Sequence, residues 1–96
     1  MDTSGSAGPS DALTRAVELL AGGSWQPAHE IVQKDDSTLA AWLHGIVHIL
    51  EGDLNNARGW YRRADRAFPR AGAVQEEIAA ARLAVKERRD APHDPI

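Results

Sequence analysis

Apolar residues recur three and four positions apart over most of the chain, the spacing of one face of an α-helix. Leu13, Ala16, Val17 and Leu20 predict a first helix over about residues 10–21. Ser10 or Asp11 can cap it, and Gly22 with Gly23 supplies the positive-φ stop. Trp25, Ala28, Ile31 and Val32 predict a second helix over about residues 24–34, with Ser24 as N-cap. Pro27 falls in its first turn, where a missing N–H costs little. Leu39, Ala40, Leu43, Ile46, Val47 and Leu50 form a wide stripe on a third helix, which begins after Asp36 or Ser37 and ends at Glu51. A stripe that wide implies burial on more than one side. Gly52 stops it, and Asp53 caps a fourth helix that should run to about Phe68, ahead of Pro69. Val74, Ile78, Ala81 and Val85 line one face of a fifth, over about residues 72–89, whose other face is charged. No stretch keeps apolar/polar alternation for long, so no strand is expected. The fold class predicted is all-α, with about five helices.

The residues that open the second and fourth helices are alike. Gly23-Ser24-Trp25-Gln26-Pro27-Ala28 stands against Gly52-Asp53-Leu54-Asn55-Asn56-Ala57, 29 residues on. A repeat of that length predicts two helical hairpins stacked side by side, with the fifth helix as a cap. Gly45, Ala57, Tyr61, Ala64 and Pro69, within residues 38–71, follow the small, Ala, aromatic, Ala, Pro spacing of a tetratricopeptide repeat. Ala28 and Val32 carry the match into the first hairpin. The chain therefore resembles that family. The resemblance implies that small residues let paired helices approach closely and that the aromatic fills the space between them. The segments Ala28-His29-Glu30, His44 to His48, and Glu51-Gly52-Asp53 through Trp60-Tyr61-Arg62-Arg63-Ala64 also resemble small uncharacterised bacterial proteins, which supply no activity to carry over.

Composition limits what this scaffold can do. Ninety-six residues make one domain, expected over residues 10–89. Residues 1–9 are Ser/Gly/Ala-rich and residues 90–96 hold two prolines, so both are expected as flexible tails. Cysteine is absent, which removes disulfides, thiolate metal sites and cysteine nucleophiles. The start of the chain lacks the basic and apolar pattern of a signal peptide, and no apolar run is long enough to span a bilayer, so a cytoplasmic address is expected. The formal charge is −3. Acids outnumber bases seven to two in residues 1–51, and bases outnumber acids nine to seven in residues 52–96. The acidic balance argues against general binding to nucleic acid. No phosphate-binding glycine loop and no nucleophile elbow occurs, so no enzyme class is indicated.

Two constellations remain. His44 and His48, four apart, share a face of the third helix, a spacing at which two imidazoles can chelate one metal ion. His29 follows the packing residue Ala28, and in the repeat pattern its position faces the helix that carries the other two. Glu30, Glu51 and Asp53 stand near as carboxylate ligands or as acceptors that orient a ligand. Such a set suits a zinc, nickel or iron ion. An open coordination position would allow metal-assisted chemistry, although no substrate site is visible. The same three histidines can instead be buried, neutral and satisfied by hydrogen bonds, simply specifying the packing.

The second constellation is a surface. Arg58, Arg62 and Arg66 recur every four residues, flanked by Arg63 and Arg70, and can hold a carboxylate, a phosphate or an acidic helix. Asp65, Glu76 and Glu77 can neutralise them instead. Trp42 and Trp60 lie beside the apolar stripes, as core or as binding surface. The function these features predict first is a small module that holds a protein or peptide partner between its hairpins, through Trp42, Trp60, Arg58, Arg62 and Arg66. A homodimer would lengthen so short a groove. The alternative is a metal-binding protein built on His29, His44 and His48.

Overall fold

The computed structural model describes residues 9–90. The tail segments expected at the two ends, apart from Pro9 and Asp90, lie outside the described residues, as do the side chains of Ser10 and Asp11 expected to cap the first helix. Five helices follow one another: α1 Pro9–Ala21, α2 Trp25–Val32, α3 Thr38–Glu51, α4 Leu54–Arg63 and α5 Val74–Asp90. There is no strand among the described residues. α1 packs on α2 and α3 packs on α4, forming two antiparallel hairpins that meet through α2 and α3. α5 lies against α1 and α3, the first helices of both hairpins, and its backbone does not approach α4.

The wide apolar stripe explains why α3 is central. It contacts each of the other four helices, and every residue from 40 to 48 is buried. Leu43, Ile46 and Val47 join Leu13, Val17 and Leu20 of α1, Val32 of α2 and Ile78 and Val85 of α5 in one core. Outside it, Arg82 of α5 grips Glu18 of α1 through two hydrogen bonds of 2.7 and 2.6 Å. That pair is exposed, so it contributes little beside the buried apolar area.

Helix ends follow local chemistry. Ser37 accepts from the Ala40 N–H and Asp53 from the Asn56 N–H, so both cap their helices. Ser24 occupies the start of α2 but makes no side-chain cap there. α2 ends at Val32, two residues before the expected Lys34, and the chain turns at Gln33 and Lys34.

α4 ends at Arg63, well before the expected Phe68. Asp65 adopts a left-handed φ of 59°. Its N–H reaches the Arg62 carbonyl at 3.0 Å, and the Arg66 N–H reaches the Tyr61 carbonyl at 2.9 Å. This pair of bonds closes a helix C-terminus without a glycine, because Asp tolerates the left-handed region better than most residues. Arg66 therefore leaves the four-residue stripe that it was expected to continue.

Candidate metal centre between the hairpins

The close approach of α3 and α4 fixes the site. At Gly45 an added Cβ would sit 2.5 Å from Tyr61 Cδ1 and 3.4 Å from the Ala57 carbonyl. The absent side chain thus admits the Tyr61 ring, which is buried. Tyr61 donates its hydroxyl to Glu77 Oε1 of α5 at 2.7 Å, and Trp42 donates its indole N–H to the same oxygen at 3.1 Å. Burial, and then the bond to Glu77, hold the tyrosine hydroxyl well above its ordinary range, so it remains protonated.

One residue back on each helix, His44 lies flat on Trp60, with ring centroids 3.8 Å apart and 10° between planes. His48 comes onto the same face one turn later, its ring 5.0 Å from that of His44. His29 enters from α2, 4.8 Å from the His44 ring and 5.5 Å from the His48 ring. His44 and His48 are 6% and 7% exposed, and His29 is half-buried.

The ring nitrogens converge. One ligand atom from each of the three histidines lies within 4.8 Å of the others. His29 Nε2 and His44 Nε2 are 3.1 Å apart and share a hydrogen bond. One of the two nitrogens donates a proton and the other presents a lone pair. Around a tetrahedral zinc ion, ligand nitrogens about 2.0–2.1 Å from the metal stand about 3.3 Å apart, so this pair is already at chelating distance. His48 Nδ1–H donates to Glu51 Oε1 at 2.7 Å, which leaves its Nε2 to carry the lone pair in the neutral ring. Burial, and then the charges of His29, His48 and Arg63, push the His44 pKa down to about 4. His44 is therefore neutral at physiological pH, the state a metal ligand requires. Beside it, a cavity of about 220 Å³ reaches His44 between the 33–37 connection and the Trp60 and Arg63 side chains of α4.

The carboxylates divide. Glu51 and Asp53 form a second group with His48, again within 4.8 Å, but both are exposed, and Asp53 is engaged in capping α4. Glu30 joins neither group. It lines a separate pocket with Arg15 and Leu19 of α1, because the step from His29 turns the side chain about 100° around the helix. Glu30 thus does not join the three histidines.

The residues expected to bind a partner do not share one surface. Trp42 is 4% exposed and belongs to the core. Trp60 is half-buried and forms a wall of the histidine cluster. Arg58 covers Phe68, Arg63 covers Trp60, and Arg66, beyond the end of α4, lies 3.4 Å over Trp42. Arg62 remains exposed. Trp60 and Arg63 as neighbours of His44 were not read from the sequence, although the hairpin register carries the signal: if Tyr61 faces Gly45, Trp60 faces His44.

No family model, curated protein or solved structure matches the chain.

Proposed function

We propose that this protein binds a divalent transition-metal ion through His29, His44 and His48. The observation that carries the reading is the convergence of three imidazoles from two hairpins, with two nitrogens 3.1 Å apart. Three further features support it. The desolvated His44 is neutral, Glu51 orients His48, and a cavity gives a path to His44. Packing alone would be served at lower cost by apolar residues, since burying three polar rings incurs desolvation that leucines would not. Imidazole donors without thiolates suit zinc, nickel or iron(II). The three nitrogens leave at least one coordination position for a fourth ligand, so metal-assisted chemistry on a small molecule is compatible with the centre.

The partner-module reading receives less support. α5 covers the shared side of α1 and α3, and Trp42 is inside. Of the residues expected to meet a partner, the arginines Arg58, Arg62 and Arg66 are exposed, whereas the two tryptophans are buried or half-buried.

Titration of zinc and nickel salts into the purified, chelator-treated chain, followed by calorimetry and tryptophan fluorescence, tests the proposal. One ion should bind per chain with micromolar or tighter Kd, and nickel should quench Trp60 through its contact with His44. His29→Gln, His44→Gln and His48→Gln should each weaken binding at least tenfold while melting cooperatively. Binding that survives all three changes, or no saturable binding by a folded chain, overturns the reading.

A further inference from the structure

The second site lies where α4 and α5 fail to meet. Residues 64–73 cross that gap, and beneath them is a cavity of about 460 Å³, within the range of small-molecule pockets. Its walls are Ile49 from the end of α3, Leu54 at the start of α4, Phe68 and Pro69 from the crossing segment, and Val74 at the start of α5. Leu54, on its lip, is 46% exposed. The polar side chains in the lining are two arginines, Arg58 and Arg70, with no carboxylate among them.

The state of these arginines defines the ligand. Arg58 lies 4.5 Å over the Phe68 ring, so its planar fork is held against the cavity wall. Among the described residues no carboxylate pairs with it. Arg70 shares its charge with Glu76 at 3.5 Å, in a pair that is exposed on both sides. Such a pair is loose and screened, so Arg70 can turn to a second anion. An apolar chamber with one free and one shared guanidinium at its rim complements a single negative charge on a hydrocarbon body. A carboxylate matches the guanidinium fork in shape, and the shared Arg70 leaves too little positive charge for a phosphate dianion.

We infer that the cavity between α4 and α5 binds a medium-chain aliphatic carboxylate, with its chain against Ile49, Leu54, Phe68 and Val74 and its head on Arg58 and Arg70. The site is separate from the three histidines and does not depend on metal binding there. Its occupancy covers Leu54 and replaces water in an apolar space, which contributes affinity with every methylene.

Calorimetry of the full chain with decanoate, below its micelle concentration, is the direct test. One decanoate should bind per chain, and octanoate should bind about fifteenfold more weakly, at roughly fourfold for each lost methylene. Decanol, which lacks the charge, should bind about tenfold more weakly than decanoate. Arg58→Gln and Arg70→Gln should each weaken decanoate and leave decanol unchanged. Ala71→Trp, placed at an exposed position of the lining, should fill the chamber and remove both without lowering the melting temperature. Failure of decanoate to saturate a folded chain, equal affinity for decanol, or binding indifferent to Ala71→Trp overturns the inference. So does tighter binding of a short peptide ending in leucine, which would assign the pocket to a peptide terminus.

Discussion

Gly45→Ala tests whether the α3–α4 approach organises the molecule. In an open helix the change would stabilise, by roughly 0.8–1 kcal/mol, because glycine carries the larger entropy loss. At Gly45 the new methyl would meet Tyr61 Cδ1 at 2.5 Å and Cε1 at 2.7 Å. The ring cannot turn aside freely. It is 1% exposed, its hydroxyl is tied to Glu77, and its edge packs on Phe68 with centroids 5.3 Å apart. The helices must therefore separate by several tenths of an ångström or more. Overpacking of this kind costs about 1–3 kcal/mol, which exceeds the helical gain over most of that range. A net loss of up to about 2 kcal/mol is expected, and each kcal/mol lowers Tm by roughly 4–8 °C in a domain of this size. Gly59 of α4 is the matched control, since an added Cβ there finds only the Arg62 guanidinium, 4.0 Å away. Gly59→Ala should raise stability by up to about 1 kcal/mol. Denaturant melts of the two variants and the parent decide the matter. If Gly45→Ala is as stable as Gly59→Ala, the tight contact is not holding the hairpin.

Acid should destabilise the fold through His44. Its pKa falls from 6.5 to about 4 on folding, so between those values the unfolded chain takes up a proton that the folded chain refuses. That contribution is complete above pH 6.5, declines as pH falls, and is lost below 4; its full size is about 3 kcal/mol. Melts across this window should show the slope in the parent and a shallower one in His44→Gln, and equal slopes would refute the assignment. At Asp65, whose φ is 59°, Asp65→Val should cost about 1–2 kcal/mol whereas Asp65→Gly costs nothing or stabilises; the two Tm values check this. If Glu51 orients His48, Glu51→Gln should weaken metal binding by about tenfold with little change in Tm, and unchanged affinity in a metal titration would remove Glu51 from that role.

Periodicity made the helices legible because each buries one face, and a 3.6-residue repeat records that directly. It placed α3 at the centre, since Leu39 to Leu50 carry apolar groups on more than one side. It failed at the end of α4. Ala64 and Phe68 continue the apolar spacing beyond Arg63, yet the chain has already turned at Asp65, and both reach the core from a loop. Spacing reports which side a residue faces, not whether the helix still exists there. The site was legible in part for the same reason. His44 and His48 share a helical face by spacing alone, and the repeat brought His29 towards them. Glu30 was misplaced because proximity in sequence is not direction on a helix. The role of Glu77 depends on how α5 registers against α3 and α4, which no local pattern in the chain encodes.

The histidine cluster and the α3–α4 contact form one mechanical unit. Gly45 meets Tyr61, and the preceding pair, His44 and Trp60, stacks on the same approach, so any separation of the helices that relieves one loosens the other. The second ring is fixed from the opposite end. The His48 carbonyl accepts the N–H groups of Gly52 and Asp53 at 3.0 and 2.9 Å, closing α3 in a turn that sets the end of the helix at Glu51. That carboxylate in turn holds His48 Nδ1. Two of the three rings are therefore positioned by backbone features, a missing Cβ at 45 and a left-handed glycine at 52, with no ion required. An ion that binds only this arrangement stabilises the whole fold, by about 2.7 kcal/mol at a concentration a hundred times its Kd. That is a large share of the stability expected for a domain of this length, so occupancy of the centre and persistence of the fold are linked quantities.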